Sequence, residues 1–253
     1  MVDNNEGAVM LITGGSRGIG AATARLGAER GWRIVLSYRD DRRAADQVVQ
    51  SITAQGGQAV AVQADVGRED DVLGLFAALD AQGGRLRALV NNAGIVAPAA
   101  RVDTFDLERL ERVFRTNVIG SFLCAREAVR RMSTRHGGQG GAIVNLSSVA
   151  ARMGSPSEYV DYAASKGAID TMTLGLAKEV ATEGIRVNAV RPGLILTDIH
   201  ASGGDAGRVE RLLGQVPMRR AGSAEEVAQS IVWLCSSQAN YVTGAVLDVG
   251  GGR

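Results

Sequence analysis

The chain has 253 residues, 45% of them hydrophobic and 22% charged, a globular balance that suits one large α/β domain or two small ones. Lys and Arg number 28 against 27 Asp and Glu, and the net charge of +1 offers no field to attract nucleic acid or an anionic membrane surface. Two histidines, His136 and His200, and two cysteines, Cys124 and Cys235, make no metal-ligand cluster and predict buried free thiols in a reducing compartment.

The first residues, MVDNNEGAVMLIT, show no basic leader ahead of a hydrophobic stretch, and no apolar run approaches the ~20 residues of a membrane span. These features predict a cytoplasmic protein without a nucleic-acid or membrane partner. Short runs of Val, Ile, Leu and Ala at 8–13, 33–38, 58–63, 88–91, 142–147, 186–190 and 245–248 have the pattern of strands covered on both faces. Helical stretches at 18–30, 42–54, 69–81, 107–133, 159–182 and 224–236 alternate with them. Ser223 followed by Glu226 reads as a capping box opening the last helix. Strand–helix–strand units with short connections imply right-handed crossovers. The expectation is a single α/β domain over 1–253, a doubly wound seven-stranded parallel sheet with helices on both faces. Residues 199–214, with four glycines and mixed charge, read as a lid over a site or as an inert surface loop.

The first strand runs into Thr13-Gly14-Gly15-Ser16-Arg17-Gly18-Ile19-Gly20 and then an Ala-rich helix. Gly14, Gly18 and Gly20 fall where a strand turns sharply, a phosphate approaches the backbone and a helix packs on the sheet, so that free amides and the positive helix end meet a pyrophosphate. Ala21-Ala22 follow Gly20, which excludes a P-loop with its Lys-Ser/Thr pair. The second strand ends in Ser37-Tyr38-Arg39, where a ribose-binding acid would mark an NAD site. Arg39, helped by Arg17, would clamp a 2′-phosphate and favour NADP over NAD; the competing reading pairs Arg39 with a neighbouring aspartate. Asp65-Val66, after the third strand, face an adenine edge, or Asp65 caps the next helix.

The fifth strand ends in Ser147-Ser148, where open α/β sheets bind ligands. Tyr162 and Lys166 are four apart on one helix, hence on one face. A free phenol has a pKa near 10. A neighbouring ammonium favours phenolate and makes the pair a general acid/base for interconverting an alcohol and a carbonyl.

Together, Thr13–Gly20, Asn91-Asn92-Ala93-Gly94, Asn117, Ser148, Tyr162, Lys166 and Pro192-Gly193 with Thr197 resemble the short-chain dehydrogenase/reductase family, over essentially the entire chain. The pattern is similar to 3-oxoacyl-carrier-protein reductases and glucose-dehydrogenase-like members. The resemblance implies a three-layer Rossmann fold and an NADP(H)-dependent oxidoreductase acting on a carbonyl or secondary alcohol. It implies that Tyr162 gives and takes the proton, that Lys166 holds the nicotinamide ribose and that Ser148 bonds the substrate oxygen. Asn117 would fix a water linking Lys166 to solvent. Asn92, Ala93 and Gly94 would line the adenosine side, and Pro192, Gly193 and Thr197 the carboxamide. It further implies a homotetramer or homodimer through the helices at 107–133 and 159–182 and the last strand. Two alternatives stand beside it: an NADP-binding regulatory protein without turnover, and an epimerase or dehydratase of related fold. Ser148 and Tyr162 lie 14 positions apart, one more than the commonest family spacing, which implies an altered substrate-side loop. Tyr159 lacks a lysine four residues on and reads as a packing or substrate-contact residue. Arg152, Glu158, His200 and Asp205 lie in pocket-facing segments but read as surface residues.

Overall fold

The apolar runs form β1 (Ala8–Ile12), β2 (Arg33–Tyr38), β3 (Ala59–Gln63), β4 (Arg85–Asn91), β5 (Gly141–Leu146), β6 (Ile185–Pro192) and β7 (Val246–Val249). The computed structural model describes residues 7–197 and 207–253. The strands make one seven-stranded sheet in the order β3-β2-β1-β4-β5-β6-β7, with parallel pairing throughout. Successive side chains of a strand point to opposite faces, so a sheet covered on both sides needs unbroken apolar runs. In β1, Met10 and Ile12 pack in a core with α1 (Gly18–Glu29), α2 (Arg42–Thr53) and α9 (Ala224–Cys235). Val9 and Leu11 face the opposite core, with α3 (Glu69–Ala81), α5 (Gly120–Met132) and α7 (Val160–Val180). Three layers result. The capping box of Ser223 and Glu226 is present, and Cys124 and Cys235 are free, buried thiols whose pKa burial pushes up to about 12.

Two elements differ from the sequence reading. The single helix expected at 107–133 is α4 (Leu107–Phe114) and α5 joined by a π turn at Arg115–Ile119. The wider turn lets the buried side chain of Asn117 bond the backbone of Ile95. The loop expected at 199–214 is in part helical, as α8 (Arg208–Leu212) and a 3₁₀ turn at Leu213–Gln215. Leu212 and Val216 are buried there against Leu194, an apolar spacing that the surrounding glycines obscure. The remainder, with His200 and Asp205, lies outside the described residues.

From β1 the chain winds outward to β2 and β3, then returns across β1 to β4 and winds the other way. The connections therefore diverge at the carboxyl ends of β1 and β4, which opens a cleft there.

Candidate active site

That cleft is a cavity of about 640 Å³. Every residue singled out from the sequence for cofactor or catalysis lines it except Gly20 and Asn117, which stand behind its wall. At the β1–α1 turn, Gly14 (φ +63°) and Gly18 (φ +54°) hold left-handed conformations that disfavour a Cβ. Arg17 is the N-cap of α1 and no side chain caps the helix, which leaves its first amides without a side-chain partner at the end that borders the cavity. Thr13 and Asn92 set the turn's position. Thr13 Oγ1 accepts from the amides of Asn92 and Ala93, both at 3.0 Å, while Asn92 Nδ2 donates to the carbonyls of Thr13 and Gly14, both at 2.9 Å. This staple joins β1 to β4 at the switch point. The backbone cradle, with left-handed glycines at its turn and Ala93 Cα 3.0 Å from where a Gly14 Cβ would stand, fits a dinucleotide pyrophosphate.

At the end of β2, Ser37 Oγ accepts from the Gly14 amide at 3.2 Å. Arg39 Nε pairs with Asp40 at 2.6 Å, with both side chains more than half exposed. Arg17 is exposed and lines the same cavity. Asp65 Oδ1 accepts from the Gly67 amide at 2.9 Å, an Asx turn that leads into α3, and the N-cap itself is Arg68. Asp65 and Val66 still line the cavity.

On the other side of the cleft, Lys166 is buried and its Nζ donates to the Leu146 carbonyl at 2.6 Å. Nζ lies 5.6 Å from the centre of the Tyr162 ring, the same-face arrangement that their spacing required. The ammonium is lowered to about 8, chiefly by burial, with the Asp170 carboxylate holding it from falling further. Asn117 Oδ1 accepts from the Ile95 amide at 2.8 Å, and its Nδ2 donates to the Ile95 carbonyl and to Ser165 Oγ, both at 3.0 Å. Ser165 in turn donates to the Tyr162 carbonyl at 2.7 Å, so the π turn braces the first turns of α7. The serines after β5 divide the work. Ser147 is buried and donates to the Lys166 carbonyl at 3.2 Å; Ser148 is half-buried on the cavity wall, its Oγ accepting from the Ala150 amide at 3.1 Å.

α6 (Ala150–Met153) fills the start of the lengthened segment between Ser148 and Tyr162. Beyond it, Ser155 (φ +45°) and Ser157 (φ +61°) are left-handed without being glycine, a strain confined to this segment and Arg219 among the described residues. Tyr159 is buried and lines the cavity. Arg152 pairs with Asp248 and Glu158 with Arg211. Sequence reasoning named Thr13 and Ser37 within the segments ending β1 and β2 but gave neither a role of its own. It missed Ser165, whose partner lies 48 residues away. Among the described residues no helix is long and apolar enough to cross a membrane, and no group of three or more His, Cys, Asp or Glu is placed to hold a metal ion.

A parallel sheet with a glycine turn at its switch point, facing a tyrosine–lysine pair across one cleft, defines a dinucleotide-binding oxidoreductase. Residues 14–253 match the family described as enoyl-(acyl carrier protein) reductase. The chain is 56% identical over 246 residues to an uncharacterized oxidoreductase, YgfF, of Escherichia coli K12, covering 97% of this chain and 100% of that protein. A short-chain dehydrogenase from Burkholderia cenocepacia J2315, solved in complex with NADP, superposes with a TM-score of 0.90 at 32% identity over 98% of each chain. A 3-ketoacyl-(acyl-carrier-protein) reductase from Brucella melitensis, complexed with NADH, gives 0.91 at 32% identity over 99% of each. The chain belongs to the short-chain dehydrogenase/reductase family.

Proposed function

We propose that the protein is an NADP(H)-dependent oxidoreductase moving hydride between nicotinamide and a carbonyl or secondary-alcohol substrate, as one catalytic domain over 1–253. The observation that carries this reading is the convergence of Ser148, Tyr162 and Lys166 on the cavity that the glycine turn opens. When bound, the nicotinamide supplies or accepts the hydride. The amides of Ser16, Arg17, Gly18, Ile19 and Gly20 take the pyrophosphate. Asp65 and Val66 meet the adenine, Asn92, Ala93 and Gly94 line the adenosine side, and Pro192, Gly193 and Thr197 hold the carboxamide. In reduction the Tyr162 hydroxyl donates its proton to the substrate oxygen, and in oxidation the phenolate takes it back. Lys166 favours that phenolate by its charge and holds the ribose hydroxyls; Ser148 bonds the substrate oxygen. Asn117 would hold a water on the path from Lys166 to solvent.

The preference for NADP rests on Arg39 standing where an acid would select the 2′-hydroxyl. Its exposed pair with Asp40 is weak, so a 2′-phosphate dianion competes for the guanidinium. Family relatives carry either cofactor, which makes this a property to measure. An apolar groove along α4 and the start of α7, lined by Val102, Phe105, Leu107, Leu110, Phe114 and Val160, supports assembly as a homotetramer or homodimer through these helices. The free thiols Cys124 and Cys235 support a cytoplasmic location.

The test is a panel of ketones, sugars and acyl thioesters followed at the absorbance of reduced nicotinamide, with NADPH and NADH in parallel. Tyr162→Phe is expected to abolish turnover while sparing cofactor binding, and retained turnover would refute the acid/base role. Arg39→Ala is expected to raise KM for NADPH and leave that for NADH unchanged; an unaltered NADPH preference rules against the clamp.

A further inference from the structure

One turn beyond Lys166 on α7 stands Asp170, a buried carboxylate that the reaction above does not use. Its Oδ2 accepts from Arg191 on β6, at 3.1 Å from Nε and 2.8 Å from Nη2. Its Oδ1 is buried and has no hydrogen-bond partner among the described residues. Arg191 Nη1 also reaches Asp248 of β7 at 3.4 Å, and Asp248 pairs with Arg152 of α6. A carboxylate buried with one oxygen unsatisfied is a destabilising way to join a helix to a strand, and an apolar pair would join them as well. An apolar pair would not place negative charge on the face of α7 that carries Lys166.

We propose that Asp170 is a positioning residue of the active site: it keeps Lys166 charged and thereby sets the pH at which Tyr162 exchanges its proton, with Arg191 and Asp248 setting how much of its charge Lys166 feels. The inference rests on the roles given above to Tyr162 and Lys166. The titratable and charged groups facing the pair are Tyr162 from α7 itself and Arg191 from β6, with Asp248 of β7 and Arg152 of α6 behind it. β5 presents the Leu146 carbonyl, and the π turn presents the neutral amide of Asn117. Burial lowers the Lys166 ammonium and Asp170 opposes that fall, which leaves it at about 8 with the carboxylate in place. Removing the carboxylate takes away the opposing attraction and uncovers the Arg191 charge, so both changes discharge Lys166. The Tyr162 phenolate then loses its cationic neighbour and forms only at higher pH.

The experiment is the pH profile of kcat and kcat/KM for alcohol oxidation, which needs the phenolate. Asp170→Asn is expected to move the rising limb up by roughly one pH unit, the size expected for one unit charge acting across a helix turn. Asp170→Glu, which restores the charge, is expected to bring it back. Asp248→Asn alters a carboxylate near the surface and leaves Arg191 free to neutralise Asp170 more fully, so a smaller shift in the same direction is expected. A limb that stays in place in Asp170→Asn overturns the proposal, even if that variant is less stable. Should Asp170→Asn fail to fold, Asp248→Asn decides alone, and an unmoved limb there has the same force. Failure of the parent reading looks different: the wild type does not turn over, or Tyr162→Phe stays active, and the inference falls with it.

Discussion

At Gly20 a methyl group would stand 2.4 Å from the Gly14 carbonyl oxygen and 2.5 Å from Asn92 Nδ2, and neither atom can retreat. The first belongs to the glycine turn and the second is already held by two hydrogen bonds to that turn. Gly20→Ala must therefore push α1 away from the cleft, which misplaces the amides proposed to take the pyrophosphate. The expected result is a loss of about 1–3 kcal/mol in folding stability, as for other overpacked sites, together with weaker NADPH binding in a fluorescence titration. Gly74 offers the control. It lies inside α3 with nothing within 4 Å of a Cβ. Gly74→Ala is expected to stabilise the protein by roughly 0.5–1 kcal/mol through helix propensity, with NADPH binding unchanged. Equal effects of the two substitutions on binding would show that Gly20 has no special place in the turn.

Elements here are joined by polar contacts that span long stretches of chain. Arg186, at the start of β6, illustrates this. Its guanidinium donates to the carbonyls of Leu234 at 2.8 Å and Ser236 at 3.1 Å, which end α9, and to that of Val242 at 3.4 Å. Helix-end carbonyls have no partner within the helix, and a cation satisfies them in number and in charge. Arg186→Met leaves these acceptors partly buried and unpaired, with an expected cost of about 2 kcal/mol. A urea midpoint that falls at constant m-value would report it; an unchanged midpoint would mean that water replaces the guanidinium. Nothing near Arg186 in the chain announces this role, because its acceptors lie 48 to 56 residues away. The same limit hid Ser165, and the buried Asn91–Asn145–Thr173 chain that ties β4 and β5 to α7. Tyr162 and Lys166 were legible because both sit on one helix, and the glycine turn because it is contiguous. The π turn was not, since one residue added to a helical run leaves its apolar pattern almost intact, yet that residue is what turns Asn117 inward. For Arg39 both readings made from the sequence keep their force: the aspartate pair is present, and it is exposed enough to yield to a stronger anion.

Over the whole molecule, one sheet carries the cofactor end and the chemical end of a single cavity, and the buried cation between them has a price in stability. Lys166 has its ammonium displaced from the ordinary 10.5 to about 8, first by desolvation. Between those two values the unfolded chain binds a proton that the folded protein has lost, so folding becomes more favourable as pH rises through this window. Below pH 8 both states are protonated and the full penalty is present, about 3 kcal/mol by the equivalence of pKa and free energy. Cys124 and Cys235 act with the opposite sign: their thiols are raised to about 12, so the stability they contribute is present below the unfolded value of 9.0 and is lost as pH climbs toward 12. A wild-type curve alone would mix the two effects. The difference between Lys166→Met and wild type, measured by urea unfolding of the cofactor-free protein from pH 7 to 10.5, removes the thiols and isolates the lysine. The variant is expected to hold its greatest relative stability below pH 8 and to lose about 3 kcal/mol of that advantage by pH 10.5, while being inactive throughout. Any fixed offset from the Leu146 carbonyl left without its donor shifts the difference but not its slope. A flat difference would mean that Lys166 is solvated as an ordinary lysine, and the tuning of Tyr162 by a buried cation would have to be abandoned.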